Sequence, residues 1–503
     1  MRRLNRHILF GSAEPPHSLA KETVKGGVSV IYSQAVQFLT NTLSTIVLAR
    51  LLVPDDFGLV GIVMVFVGFA ERFKDAGLSM ATIQRETINE QQISTLFWIN
   101  LAIGVLIALI LVAVAPLVGY FYERAEITGV FALLSFSFVF SGFSIQHQAL
   151  MRRHLQFSRL AHIQIVATIT RQLVSIILAM LGWDYMALVF GIIAFAVANT
   201  IGTFFYCNWL PGKPRKTKGV FSMLAFGGHM TIFTVITYIT NNIGQGILGK
   251  IANAATVGNY TKARGILMLP LTQIRGPVSS VMTPVLSKLQ NDPEKFRKYY
   301  YAVVFFMAFV TMPLTMVFML YPKDIVLLYL GPKWTQAAQL FSIFCWYSLV
   351  YPVSGLRGIV LVSLGKPKRY SSFGFIHGII NIVAMLIGSY FGAAGIAWAF
   401  VIINYAIWVP TLFYCFKDTP LTVSGYFKAC YMPLVVCLVG GGGVKLIDIF
   451  YWGDLGYWRI LFGGLLFISF YALFWGIALK MKWQSELQEM LALAKTMMRK
   501  RKR

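Results

Sequence analysis

Apolar residues along this chain gather into runs of about twenty, the length at which a helix crosses a hydrocarbon core, with short polar joins between them. Fourteen runs are read, at 28–48, 57–70, 93–118, 127–144, 160–181, 185–209, 220–244, 257–286, 299–320, 337–364, 370–391, 395–416, 426–447 and 457–479. The second is short and is expected to continue as helix through Glu71 to Leu78. An outer-membrane barrel would show shorter segments of strict alternation, and none dominates. The pattern predicts an all-α integral membrane protein of about fourteen transmembrane helices.

The runs also repeat. Ala49-Arg-Leu-Leu-Val-Pro-Asp-Asp-Phe-Gly58 follows the first, and Gly249-Lys-Ile-Ala-Asn-Ala-Ala-Thr-Val-Gly258 follows the seventh, 200 residues on. At the same offset Asn41 answers Asn241 and Ser79 answers Ser279. An offset of six spans preserves orientation, so the halves read as parallel repeats about an axis along the membrane normal. The expected division is a cytoplasmic segment 1–25, a six-helix lobe 26–212, a second six-helix lobe 213–416, a helix pair 417–482 and a basic tail 483–503, with the lobes around a central cavity.

Composition agrees. Hydrophobic residues make up 57% of the 503, and charged residues only 13%, against roughly a quarter in soluble domains; mean hydropathy is +0.67. A formal charge of +25 would suggest nucleic acid in a soluble protein, but its placement argues otherwise. With alternate joins assigned to opposite sides, 32 Lys and Arg fall inside and seven at outer loops or outer span ends. That is the positive-inside pattern, and it puts both termini in the cytoplasm. The tail Arg499-Lys-Arg-Lys-Arg503 then serves topology and contact with anionic phospholipids. The N-terminus lacks a cleavage site before a hydrophobic core, so it leads into an uncleaved first span. Cys207, Cys345, Cys415, Cys430 and Cys437 have no metal-type spacing and read as packing residues. No metal or cofactor is implied.

Candidate chemistry lies in polar residues within the apolar runs. Ser29, Ser33, Gln37, Asn41 and Ser44 share one face of the first span, and Thr234, Tyr238, Asn241 and Gln245 one face of the seventh. Either stripe alone is explained by helix–helix hydrogen bonding; two at repeat-equivalent places favour a shared wet cavity. In the eighth span Thr261, Arg264, Met268, Thr272, Arg275 and Ser279 form one continuous stripe. Its two arginines lie roughly 16 Å apart along the axis. Charges within a span face protein or water, because facing lipid costs several kcal/mol. No carboxylate on this helix pairs with either arginine, so the expected partner is an anion that comes and goes. Arg171, on a face with Gln164, Thr168 and Ser175, and Arg357, beside Ser354 and near Tyr347 and Tyr351, extend the pattern; a structural ion pair or a snorkel is the alternative for each. Arg50 and Lys250 sit at outer ends, where snorkelling is cheap. Glu71 and Asp75 could form a gate pair or carry a coupling proton or cation. Pro270, Pro277 and Pro284 would bend the eighth span. No phosphate-binding P-loop, H-E-x-x-H or G-x-S-x-G occurs and every expected external loop is short, which favours passage over catalysis.

The stretches Leu48-Ala-Arg-Leu-Leu-Val-Pro-Asp-Asp-Phe-Gly58, Thr95-Leu-Phe-Trp-Ile-Asn100, Gln148-Ala-Leu-Met-Arg-Arg-His-Leu-Gln-Phe157, Lys250 through Tyr260 and Leu330-Gly-Pro-Lys-Trp334 run in order over most of the chain. In them it resembles the Wzx-type polysaccharide flippases of the multidrug/oligosaccharidyl-lipid/polysaccharide exporter superfamily, nearest the colanic-acid branch. The resemblance implies a two-lobe, alternating-access transporter of the bacterial inner membrane. Its implied cargo is undecaprenyl-pyrophosphate-linked oligosaccharide, moved from the cytoplasmic to the periplasmic leaflet, with a polysaccharide polymerase and chain-length regulator as partners. By position it assigns the pyrophosphate to Arg264, and further to Arg275, Arg171 and Arg357; Ser33, Gln37, Asn41, Thr234, Tyr238, Asn241, Gln245 and Thr272 would line the cavity for the sugar. The helix pair 426–479 would offer a groove to the prenyl tail. Two other functions stay open. A drug/cation antiporter on the same fold would need carboxylates in the cavity, and a membrane-embedded polymerase or ligase would need a sizeable external loop.

Overall fold

The computed structural model describes residues 11–12, 19–75, 78–84, 87–215, 238–240, 242–451 and 456–481. Thr234, Asn241 and the basic tail from 482 onward lie outside the described residues. Apart from a two-residue antiparallel pair, Gly11–Ser12 with Thr87–Ile88, the regular structure is helical. In chain order the helices are α1 (Leu19–Leu51), α2 (Pro54–Ala70), α3 (Leu78–Gln84), α4 (Glu90–Phe121), α5 (Ala125–Arg153), α6 (Phe157–Met180) and α7 (Asp184–Cys207). There follow α8 (Ala254–Lys288), α9 (Pro293–Leu320), α10 (Pro322–Leu330), α11 (Thr335–Ser348), α12 (Tyr351–Ser354) and α13 (Arg357–Ser363). The last are α14 (Pro367–Ser389), α15 (Gly392–Ala406), α16 (Trp408–Phe416), α17 (Val423–Tyr451) and α18 (Trp458–Lys480). Among the described residues nine helices are long and apolar enough to span a membrane, or ten if one bent pair is counted as a span.

Most expected runs reappear as helices extended by a turn or so at either end. Two expectations are corrected. Helix α2 stops at Ala70 rather than running on to Leu78, and residues 71–75 turn. The reason is local: the Asp75 carboxylate accepts from the Ser79 amide (2.9 Å) and hydroxyl (2.8 Å), capping the start of a separate helix, α3. The tenth run is not one helix but a pair bent by 49° between Ser348 and Tyr351. Pro352 has no N–H to give and its ring opposes the Ser348 carbonyl. Pro410 acts likewise on Ala406, where α15 ends and α16 begins, although α15 and α16 still form one span. By contrast α8 remains continuous through Pro270, Pro277 and Pro284.

The chain divides into two compact units, residues 1–258 and 259–503. In the first, α4 packs on α5, α6 on α7, and α1 on α6. Glycines let α4 and α5 approach closely: a Cβ added to Gly104 would lie 2.6 Å from the Phe138 carbonyl oxygen, and one on Gly142 3.0 Å from that of Asn100. Phe97, Leu150, Met151, Ile163 and Trp209 bury a small core at one end. In the second unit α9 packs on α17 and α17 on α18, around Phe305, Tyr471 and Trp475. Large apolar side chains also point outward, such as Leu106, Leu109 and Ile110 of α4, as expected where the solvent is lipid.

Within the first unit the start of α2 crosses the start of α8. A Cβ on Gly58 would sit 1.6 Å from the Ala254 carbonyl oxygen, and one on Gly258 2.0 Å from that of Pro54. The four positions are two pairs at the 200-residue offset, so each copy of the repeated motif presents its glycine to the other. The two helix starts are also capped at equivalent positions. The Val53 amide donates to Asp56 Oδ2, and the Thr256 amide to Asn253 Oδ1, both at 2.9 Å.

Candidate functional site

Helix α8 carries Arg264 and Arg275, both half-buried, and neighbouring helices of the second unit give each an aromatic face. The Arg264 guanidinium lies 5.3 Å from the centre of the Phe400 ring and that of Arg275 5.1 Å from the Tyr351 ring. These rings are joined: Tyr347 stands edge-on to Phe400 at 4.6 Å and beside Tyr351 at 5.3 Å. The result is a row from Arg264 through Phe400, Tyr347 and Tyr351 to Arg275, with a guanidinium at each end. Stacking uses the π-face of the cation, and the N–H donors in the guanidinium plane stay directed elsewhere. Arg275 makes no ion pair or hydrogen bond among the described residues. Gly355 permits this position, since a Cβ there would meet the Arg275 guanidinium at 2.5 Å. Thr272, on the same stripe, is exposed and its hydroxyl turns back to the Leu269 carbonyl at 3.0 Å.

Arg357 opens α13 in the same unit and is only 7% exposed. Its guanidinium stacks 5.2 Å from the centre of Phe373, and its Nη1 has no hydrogen-bond partner among the described residues. Tyr347 lies within electrostatic reach of all three arginines. Arg171 belongs to the first unit. Its side chain is exposed. Ser175 and Thr168 on its helix are buried, and Gly191 of α7 lies against Ser175. Gln164 bonds Asn199 of α7 at 3.3 Å.

The polar stripe of α1 finds its partners on α6. Ser29 bonds Ser158 at 2.8 Å, Ser33 donates to the Ala161 carbonyl at 3.3 Å, and Gln172 donates to Asn41 at 2.7 Å. Gln37 donates to Ser33 at 2.8 Å and is half-buried, as is Asn41. Of the matching stripe, the Tyr238 hydroxyl points to the Met64 and Val65 carbonyls, and Gln245 donates to that of Gly61 at 2.7 Å. The two stripes thus engage different helices, α6 and α2. Glu71 is exposed and pairs with Lys74 at 3.3 Å, while Asp75 serves as the cap of α3. At the far end of α2, Arg124 makes a forked pair with Asp55, both bonds 3.1 Å, and Lys250 reaches Glu123 at 2.8 Å. That hydrogen bond and the lysine charge hold the Glu123 carboxyl below its ordinary range.

Phe400 and Phe373 were not singled out by the sequence, because each reaches its arginine from another helix. Tyr347 and Tyr351 were visible as near neighbours of Arg357, but the break at Pro352 gives Tyr351 to Arg275 instead.

The helix arrangement places the protein in a class. Its fold is that of the lipid II flippase MurJ in an inward closed conformation, with a TM-score of 0.71 at 15% identity over 91% of this chain and all of that one. An inward-facing multidrug resistance MATE family transporter of the MOP superfamily matches with a TM-score of 0.61 at 13% identity over 78% of this chain and 96% of that one. The protein thus has the fold of the MOP superfamily transporters. Residues 47–339, more than half the chain, match the polysaccharide biosynthesis protein family, and the chain belongs to that family. Relatives include the lipopolysaccharide biosynthesis protein WzxC of Escherichia coli (strain K12), 23% identical over 81% of this chain and 83% of its own length. The teichuronic acid biosynthesis protein TuaB of Bacillus subtilis (strain 168) is 23% identical over 74% and 78%.

Proposed function

We propose that this protein is a flippase for undecaprenyl-pyrophosphate-linked oligosaccharide, carrying the repeat unit from the cytoplasmic to the periplasmic leaflet of the inner membrane by alternating access, without covalent chemistry. The observation that carries the reading is the pair of guanidinium groups on α8, each set against an aromatic ring and neither matched by a carboxylate on its helix. A pyrophosphate cannot enter hydrocarbon unaided, because its charges would lose their hydration. Arginine N–H groups replace that water with charge-assisted, often bidentate hydrogen bonds. The eleven-residue spacing offers two such stations along one helix, with the row of rings between them. Arg171 would supply a further cation from the first unit. Sugar hydroxyls would meet Gln37, Asn41, Tyr238, Gln245 and Thr272, the expected polar residues with accessible surface among the described residues. Arg357, 7% exposed, would be a further and more recessed cation for the head group.

The biosynthetic roles named for WzxC and TuaB, and the lipid-linked cargo named for MurJ, support this reading. Both termini would lie in the cytoplasm, the sequence repeats would form the two moving lobes, and the basic tail would rest on anionic phospholipid. A cation antiporter has less support: Glu71 pairs with Lys74, Asp75 caps a helix, and neither is positioned to take a cationic drug.

Arg264→Ala and Arg275→Ala should each abolish surface polysaccharide while the amount of protein in the membrane stays near normal. Immunoblotting of membranes beside polysaccharide extracted from the cell surface makes the comparison. Wild-type polysaccharide in both variants would end the head-group assignment.

A further inference from the structure

The stretch Thr95-Leu-Phe-Trp-Ile-Asn100, conspicuous in the sequence, lies near the start of α4 and takes no part in the row of arginines. The structure gives it an occupant. Helix α7 ends at Cys207, Asn208 turns the chain in a left-handed conformation (φ 50°), and residues 208–215 then run without helix or strand. A segment with no secondary structure must find partners for its backbone elsewhere, and here they are side chains of α4. The Gly212 amide donates to Ser94 Oγ at 2.9 Å, and Trp98 Nε1 donates to the Gly212 carbonyl at 2.9 Å. The Arg215 amide donates to Thr95 Oγ1 at 3.2 Å, and the same hydroxyl lies 2.9 Å from the Arg215 carbonyl oxygen. Ser94 and Trp98 are a helical turn apart and so share a face.

The near end of the segment is buried as well as bonded. Trp209 is 2% exposed and packs edge-on to Phe97, with ring centres 6.2 Å apart. Its ring also lies 5.1 Å from that of His147 on α5, whose Nε2 is 3.1 Å from the Trp209 carbonyl oxygen. Pro211 and Pro214 have a fixed φ and no N–H to satisfy, which lowers the entropy lost on seating.

This segment begins the join between the two sequence repeats. The seventh span is expected to start at Val220, and residues 216–237 lie outside the described residues. A join free from the end of α7 would have twelve residues, 208–219, and could reach about 40 Å. With 208–215 seated it has four, 216–219, and reaches about 14 Å.

We propose that residues 208–215 form a clasp that stays seated on α4 throughout transport, so that only residues 216–219 serve as the hinge between the repeats. The short hinge limits how far the second repeat can swing from the start of α4. That limit rests on the transport reading; the seat itself does not.

The seat is tested on the full-length protein in detergent by hydrogen–deuterium exchange. The peptide spanning residues 209–216 should exchange at least about tenfold more slowly in the wild type than in Ser94→Ala/Thr95→Val, which removes the acceptors of the Gly212 and Arg215 amides. Equal exchange in the two proteins would overturn the clasp whatever the cargo. The hinge is tested in cells. A Cβ on Gly212 would lie 3.5 Å from Ser94 Oγ, an ordinary contact, so Ser94→Cys/Gly212→Cys sets two thiols side by side, and the native cysteines are buried. The cytoplasm keeps such thiols reduced, so they are bridged with membrane-permeant dibromobimane, whose fluorescence reports the bridge. Surface polysaccharide should go on appearing at the unbridged rate; arrest on bridging would mean that the clasp must open, and would overturn the proposal. Thr95→Val should slow export several-fold at a normal protein level, and bridging Ser94→Cys/Gly212→Cys in that background should restore it. Unchanged export in Thr95→Val, or slow export that bridging leaves slow, would overturn the short hinge. If deleting the whole gene leaves surface polysaccharide unchanged, the transport reading fails instead, and the exchange measurement still decides the clasp.

Discussion

An arginine set against an aromatic ring inside a membrane is positioned by that ring. The stack fixes the plane of the guanidinium and leaves its edge for a partner of opposite charge, which is what a transient anion site requires. Phe400 is therefore a positioning residue for Arg264. Phe400→Leu removes the ring while keeping the volume apolar. The lost cation–π contact is worth about 1 kcal/mol, a factor of about 5 in an equilibrium. The expected outcome is a several-fold slower appearance of surface polysaccharide after induction, with Phe400→Tyr near wild type. If Phe400→Leu behaves as Arg264→Ala does, the ring has a role beyond orientation. At this scale the sequence was half legible. In-span arginines are conspicuous because so few charges share their runs, and the missing carboxylates can be checked by reading. The rings are not, because Phe400 and Phe373 sit in apolar stretches where forty phenylalanines make any one of them unremarked.

At the scale of the helix, hydrophobic period and length were enough to place most of the spans, and proline was a poor guide to where they break. Pro352 and Pro410 coincide with helix ends, while Pro116, Pro313 and Pro433 lie inside continuous helices, as do the three prolines of α8. The local cost of a proline is similar in each case; packing decides whether the helix yields, and packing is not written locally. The α1 stripe shows the same division. Its period was visible, but its partner helix was not: Ser29, Ser33 and Asn41 make their hydrogen bonds to α6. Asn41→Leu should cost about 0.6 kcal/mol, the average for such bonds between membrane helices, and Asn41→Leu with Gln172→Leu should cost less than the sum of the two single changes. Melting of the four proteins in detergent measures the coupling; strict additivity would mean that the 2.7 Å bond contributes nothing.

For the whole molecule, the sidedness inferred from the charge count can be checked directly. The native cysteines are all buried, so added thiols can be read against a quiet background. Glu123→Cys should react with a membrane-impermeant maleimide in intact spheroplasts, and Lys213→Cys only after the membrane is opened. The opposite result would invert the topology. The crossing of α2 and α8 gives a second check. Gly58→Val places carbon where the Ala254 carbonyl oxygen already stands, and overpacking of this kind costs about 1–3 kcal/mol or more. A fall of about 1–3 °C in Tm is expected, and an unchanged melting curve would show that the close approach is dispensable. The two-unit division emerges from the coordinates at 258, inside α8, rather than at a join between helices. Nothing in local composition marks that point.

The reciprocal fit of Gly58 on Ala254 and Gly258 on Pro54 carries a consequence for origins. An interface in which the same residue from each half meets the same residue of the other is what a twofold homodimer makes of itself. A polypeptide of half this length, bearing one copy of the motif, would already possess both sides of the joint. Gene fusion would then have joined two subunits that fitted beforehand, and left each copy free to diverge everywhere except where the glycines touch.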